Sequence, residues 1–290
     1  MSAAAHDSDR PHVLVGYDGS PAAANALEVG ARLLPGFAAD VVHLWAPPFA
    51  SAELRRRLLR TAANLDELAA LLEREGGAEA DRISTDGVAL ARAAGWEAEP
   101  LAHRGYGDAG LELARLAEKL RPAAVVVGSR GLSGARAVLG SVSDMVAHHS
   151  PAPVLTVPHP LLVEEREAAA AGPVVVGYDE SDGARGALAA AMSLFPGRNM
   201  IAVTVADDDV TGAAADAAGA ETAFLDISRK ARGPRGVADA LAGFAAERKA
   251  AVVVTGSRGR SQWREIMLGS VATAVLRTAE RPVLTVPAGR

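Results

Sequence analysis

Short, wholly apolar runs that close on glycine or aspartate alternate along this chain with longer stretches whose apolar positions recur at helical spacing. The run VLVGYD, Val13–Asp18, reads as a strand buried on both faces, because consecutive positions are apolar and turn residues end it. Ser20-Pro21 then opens a helix, the serine as a side-chain cap and the proline at a first helical position that needs no N–H donor. That helix runs to about Leu34 and stops at Pro35-Gly36. The pattern goes on to predict a strand at Val41–Trp45, a weaker strand near Glu97–His103, a helix over Gly107–Leu120 ended by Pro122, and a strand at Ala123–Gly128. A helix over Ser141–His149 and a last strand at Pro153–Val157 complete the first set. Strands alternating with helices call for a parallel sheet covered on both faces, an α/β fold.

The set then repeats. VLVGYDGS (Val13–Ser20) returns as VVVGYDES (Val174–Ser181), and VVVGSRG (Val125–Gly131) as VVTGSRG (Val253–Gly259). Leu139–Pro158 matches Leu268–Pro287 at 11 of 20 positions, both copies opening LGSV and closing PVLTVP. Three matches in one order signify duplication. The reading is two tandem doubly wound parallel five-stranded sheets, with domains at 1–160 and 172–290 and a linker or short helical tether between Pro160 and Pro173. The halves differ in length. Asp18 and Asp179 are 161 apart while Gly131 and Gly259 are 128 apart, so the second copy has a shortened or missing crossover after its second strand, Ile201–Val205. The first half spends that length on Ser51–Gly95, read as an Arg-rich amphipathic run, Glu53–Glu75, and a second helical stretch near Asp86–Ala94.

Composition narrows the chemistry. The 290 residues are 49% hydrophobic and 22% charged, a globular balance. A net charge of −5 supplies no global basic field for nucleic acid or an anionic membrane. The chain has no cysteine, which removes disulfides, thiol catalysis and thiolate metal sites. Met1–His12 is polar, unlike a secretory leader, and no apolar run approaches the roughly 20 residues that span a bilayer, so a cytoplasmic location is expected.

Candidate chemistry sits at the predicted carboxyl ends of strands, where ligands of open α/β sheets bind. Asp18 and Gly128–Gly131 fall there in the first half, Asp179 and Gly256–Gly259 in the second. Glycines let backbone N–H groups approach an anion closely, and the helix beginning at Ser141 or Ser270 aims free N–H groups and a dipole the same way. Arg258, Arg260 and Arg264 add charge. No lysine precedes the serine, so this is not a Walker A loop, and the first strand ends in Gly-Tyr-Asp rather than GxGxxG. A glycine turn followed by a capped helix, with no ligand at all, fits the same residues.

Gly256-x2-Gly259-x9-Gly269-Ser270, preceded by a β-branched strand and followed by a helix and PVLTVP, resembles the ATP-binding signature of the universal stress protein family, and GYDGS and GYDES resemble that family's opening strand. The resemblance covers nearly the whole chain, twice. It implies a Rossmann-like, adenine nucleotide alpha hydrolase-like fold and a cytoplasmic ATP-binding regulatory or stress-response module, with Mg²⁺ brought by the nucleotide. It implies that Asp18 and Asp179 lie against the nucleoside and that Leu44 and Val205 pack on adenine. Gly128, Arg130, Gly131, Gly140, Ser141, Val142 and Ser143 would form one phosphate cradle, and Gly256, Arg258, Gly259, Gly269, Ser270 and Val271 the other. It further implies that the two PVLTVP strands pair internally as a pseudo-dimer, with a homodimer of the fusion and an unidentified protein partner left open.

Each half departs from the signature. Only eight residues separate Gly131 from Gly140, one short of the usual spacing, while Ala272 stands where the first half has Ser143. The expectation is that at most one half binds ATP well, the second being favoured by its full spacing. His148-His149 reads as a helix terminus rather than a metal pair, His43 as a satisfied strand histidine, and Arg55–Arg57 as a solvated helix face. The loops Arg104–Asp108 and Arg232–Pro234 either lean over a ligand or merely turn the chain. No metal site, catalytic residue or nucleophile elbow is assigned. Two alternatives stay open: an interaction scaffold of the same fold without nucleotide, and a slow ATP-hydrolysing enzyme.

Overall fold

A computed structural model describes residues 11–46, 52–129, 140–205, 217, 219–227, 233–257 and 268–288. The first half runs β1 (His12–Gly16), α1 (Pro21–Leu33), β2 (Ala38–Trp45), α2 (Ala52–Thr61), α3 (Leu65–Ala93), β3 (Glu97–Arg104), α4 (Ala109–Leu120), β4 (Ala124–Gly128), α5 (Ser141–His149) and β5 (Val154–Val157). After α6 (Val163–Ala171), the second half runs β6 (Val174–Gly177), α7 (Asp182–Leu194), β7 (Met200–Val205), β8 (Glu221–Leu225), α8 (Pro234–Glu247), β9 (Val252–Gly256), α9 (Ser270–Thr278) and β10 (Val283–Val286).

All ten strands join one sheet in the order β3-β2-β1-β4-β5-β10-β9-β6-β7-β8. Each half contributes the same doubly wound five-strand order. Every neighbouring pair is parallel except the central one, where β5 and β10 run antiparallel with Leu155 opposite Leu284. The PVLTVP strands therefore pair with each other, as the resemblance implies. The strands are apolar at consecutive positions because helices cover both faces. On the face carrying α1, α3, α6 and α7, one core cluster runs unbroken across the central seam through Leu155, Val157, Leu284 and Val286. The opposite face carries a separate cluster in each half, and Ala147 of α5 packs into that of the second.

Local signals act as read at α1, where the Ser20 hydroxyl accepts from the Ala23 N–H at 3.2 Å. The insertion folds differently from its expected division. The break falls at Ala62–Asn64, with Asn64 capping the Glu67 N–H at 2.9 Å, and α3 then continues for 29 residues through Gly76-Gly77. Glycines inside a helix cost about 1 kcal/mol each, which docking offsets here. At Gly87 a side-chain Cβ would lie 2.6 Å from the Tyr17 ring and 2.8 Å from Val41, so the missing side chain is what seats α3 on the sheet. The expected linker is also built in: Leu161, Ala168 and Ala169 are buried, and Arg166 pairs with Glu28 of α1 at 3.0 Å.

Candidate functional site

In the first half, β1 is flanked by β2 and β4, and the chain leaves it toward opposite faces on the two sides. This is the topological switch point, which opens a crevice beyond the strand ends. The Tyr17 N–H donates to the Val42 carbonyl at 2.9 Å and carries the pairing one residue past β1, so that Asp18 emerges exposed at the crevice. Asp18 Oδ1 accepts the Ser20 N–H at 2.9 Å, which fixes the carboxylate beside the start of α1. His43 Nδ1 lies 2.9 Å from the Tyr17 carbonyl. A carbonyl only accepts, so Nδ1 carries the proton and Nε2 is left for other partners.

A cavity of about 440 Å³ fills the crevice, lined among others by Asp18, Leu44, Gly128 and Gly140–Ser143. Its far end is the first turn of α5. The cap there is Gly140, in extended conformation at φ −61° and with no side-chain hydrogen bond, so no side chain of the cap occupies the opening amides of the helix. Glycine is thus not needed at this position for a positive φ. Its contribution is the missing side chain. Gly128 is explained otherwise: a Cβ there would lie 2.7 Å from the Ala22 carbonyl oxygen, so the close approach of α1 to the end of β4 requires glycine.

The glycine loop is clamped at its base. The Ser129 N–H donates to Val157, and the Gly140 N–H donates to the Ser129 carbonyl at 2.7 Å. The second half repeats the clamp, Ser257 to Val286 and Gly269 to Ser257, also at 2.7 Å. The one-residue difference in loop length therefore leaves both helix starts anchored alike, and it is carried by segments that include Arg130, Gly131, Arg258 and Gly259, all outside the described residues. The Ser143 hydroxyl lies 3.1 Å from the Gly140 carbonyl and 3.3 Å from that of Ser129, so it braces the clamp where Ala272 cannot.

In the second half Asp179 Oδ1 accepts both the N–H and the hydroxyl of Ser181, at 3.1 and 2.6 Å. Val205 is buried at the end of β7, Gly256 ends β9, and Gly269 caps α9, which begins Ser270-Val271, with φ −60° and no side-chain bond. Thr204 there replaces His43, its hydroxyl donating to the Tyr178 carbonyl at 3.0 Å.

A second cavity, about 380 Å³, adjoins the first through Asp18, His43, Leu44 and Ala109 and is walled by Glu79 and Ile83 of α3 and Glu112 of α4. Of these, the strand-end pattern points to Asp18 and the family resemblance to Leu44, while His43 reads from sequence as a satisfied strand histidine. The signal for Glu79 and Ile83 is present as a helical face of the insertion, but nothing local says what that face covers. Gly105 and Gly107 also line this cavity, so the loop before α4 does reach the crevice, while Arg104 pairs with Glu73 of α3 and lies 4.8 Å over the Tyr106 ring. Burial, then the Asp86 and Asp18 carboxylates, push the Tyr17 phenol above its ordinary pKa. Among the described residues no three His, Asp or Glu side chains gather to hold a metal ion, and His148 Nδ1 bonds the Asp144 carbonyl at 2.7 Å. No described helix is long and apolar enough to cross a membrane.

A ten-stranded, doubly wound sheet with a crevice at its switch point defines the class of α/β proteins built on paired Rossmann-like units. The profile of the universal stress protein family matches residues 10–158 and 231–287, and the chain belongs to that family. No curated protein sequence matches the chain. Among solved structures, a universal stress protein from Archaeoglobus fulgidus DSM 4304 aligns over 96% of this chain and 97% of its own, at 23% identity and a TM-score of 0.67. A protein of Pseudomonas aeruginosa UCBPP-PA14, described as a universal stress protein, covers 96% and 94% at 12% identity and a TM-score of 0.57. A universal stress protein from Archaeoglobus fulgidus in complex with dAMP covers 50% of this chain and 96% of its own, at 22% identity and a TM-score of 0.35.

Proposed function

We propose that the first half of this chain binds an adenine nucleotide, ATP with Mg²⁺, and that occupancy rather than turnover is the output. The observation that carries the reading is the cavity that runs from Asp18 and Leu44 to the uncapped first turn of α5. Its size falls in the range of about 300–1,000 Å³ typical of small-molecule sites. Leu44 offers an apolar wall for a base, the Asp18 carboxylate an acceptor for ribose hydroxyls or an exocyclic amine, and the free amides of α5 a receptor for phosphate. Mg²⁺ would be held chiefly by phosphate oxygens and water, consistent with its reluctance to dehydrate. The cavity, together with the Ser143 brace on the loop clamp where the second half has Ala272, makes the first half the favoured site.

Binding to the folded state alone would stabilise it by about 2.7 kcal/mol at a ligand concentration 100 times Kd and would order the residues around the crevice, a change that a protein partner could read. Titration calorimetry with ATP tests the reading: one site is expected, and its loss on Gly140→Val but not Gly269→Val places it in the first half. Mass spectrometry of the denatured protein checks for co-purified ATP or AMP. One observation favours the scaffold reading instead: Gly128 and Ser143 are both accounted for by packing and by the loop clamp. Absence of nucleotide, together with no thermal shift in millimolar ATP, would decide for the scaffold.

A further inference from the structure

We infer that Arg281, contributed by the second half, is the cationic partner of an anion held at the first half's α5 terminus, so that a nucleoside polyphosphate would be bound across the central seam. The inference rests on the nucleotide reading above. Its starting point is Arg281 itself, which is only 5% exposed and whose Nε and Nη1 have no hydrogen-bond partner. A guanidinium taken out of water without acceptors or a counter-charge is costly, and such groups are ordinarily paired. Among the described residues no ion pair involves it.

Register shows what Arg281 faces. Val283 pairs with Thr156 and Leu284 with Leu155, so continuing the antiparallel ladder two residues brings Arg281 opposite Pro158. That is the residue after Val157, whose carbonyl holds Ser129, whose carbonyl in turn holds Gly140. The guanidinium-bearing residue thus stands at the same end of the seam as the α5 cap. The face is also set. Along β10, Leu284 and Val286 belong to the core on the α1 and α7 side, while Val283 packs with Ala147 of α5 and Leu276 of α9. Alternation puts position 281 on the Val283 side, between α5 and α9. The antiparallel seam brings the start of α5 beside the end of α9, which is where Arg281 follows.

Two more polar atoms on this side are buried without partners, Thr156 Oγ1 and Asp144 Oδ1. Asp144 lies 3.8 Å from His148 and is not joined to Arg281. The seam end therefore holds a guanidinium fork, a hydroxyl and an uncapped helix start, with the Asp144 carboxylate in the same first turn; the fork and the amides suit phosphate oxygens, and the guanidinium offsets the carboxylate's repulsion. The duplicate position in the first half is Ala152, which the same symmetry directs toward the second half's helix start. The cation therefore exists on one side of the pseudo-twofold only, which distinguishes the first-half site from the second.

The test is calorimetry on the full chain with ATP and with adenosine, for wild type, Arg281→Met and Arg281→Lys, each checked by thermal melting without ligand. Arg281→Met is expected to weaken ATP about tenfold or more, the loss of charge-assisted hydrogen bonds, while adenosine affinity stays unchanged. Its ligand-free melting temperature is expected to hold or rise, because an unpaired buried charge has been removed. Arg281→Lys keeps the charge without the fork and should fall between. Equal losses of ATP and adenosine, no change in either, or a ligand-free melting temperature lowered by many degrees would overturn the inference, the second outcome meaning that water alone fills the seam. Should Arg281→Met fail to fold, that too counts against it unless Arg281→Lys shows the ATP-selective loss. Wild type that binds no ATP would fail the nucleotide reading itself, a result distinct from ATP binding that ignores Arg281.

Discussion

At the scale of single residues, absent side chains matter as much as present ones. Gly140 leaves the α5 amides open, and Gly140→Asp would fill them with its own carboxylate. This variant should melt higher, by a few tenths to about 1 kcal/mol of stability, while losing ATP affinity at least about tenfold, since a negative cap competes with phosphate. Gly128→Ala meets backbone atoms of Ala22 that cannot move aside alone, and it should cost about 1–3 kcal/mol in chemical denaturation. Tyr17 makes a pH prediction. Its folded pKa is raised, so the stability this gives is complete below the ordinary tyrosine pKa of about 10 and is lost as pH climbs through the folded value. Tyr17→Phe should flatten the fall in melting temperature above the ordinary tyrosine pKa of about 10. Ser20, Asp18 and the start of α5 were legible in the sequence because caps and strand ends are local signals. The reason for Gly128 was not, because the backbone it makes room for lies more than a hundred residues earlier in the chain.

At the scale of elements, the segments that looked like spacers turn out to be docked. The insertion supplies α3, which leans on Tyr17 and walls the second cavity. Its two halves were legible as helical, but their continuity through Gly76-Gly77 depends on packing that no local pattern encodes. The segment of α6 was legible as a linker or a short helical tether, while its burial was hidden by a run of alanines that suits either solvent or a close helix contact. Arg198 secures its end, donating to the carbonyls of Ala169, Ala170 and Gly172 at 3.0–3.1 Å. Burial lowers the pKa of this arginine but leaves it charged. Arg198→Leu strips those carbonyls of their donor and should destabilise the fold by about 1–3 kcal/mol, measured by urea unfolding.

At the scale of the whole molecule, duplication replaces assembly. The PVLTVP repeat together with the family resemblance made the central pairing legible, because two identical strands at equivalent positions can satisfy each other's edge. The asymmetry was only half legible: loop spacing and length loss were visible, but not that the insertion's α3 walls a second cavity beside the first half's crevice. Leu155 and Leu284, both fully buried and opposite each other, hold the seam. Leu284→Asp buries a charge there and should unfold both halves together, lowering stability by about 3–5 kcal/mol or more in a single calorimetric transition. A sheet has just two rims, and closing β5 on β10 leaves β3 and β8 in that position. The β3 rim bears Glu97, Glu99, Pro100 and Arg104, and the β8 rim opens with Glu221, tied to Arg248. Charge and proline discourage a further strand from adding there. Growth by strand addition is thus opposed most strongly at the β3 rim, whereas the β8 rim, with exposed Phe224 beyond its single paired acid, is the edge left to receive a neighbour.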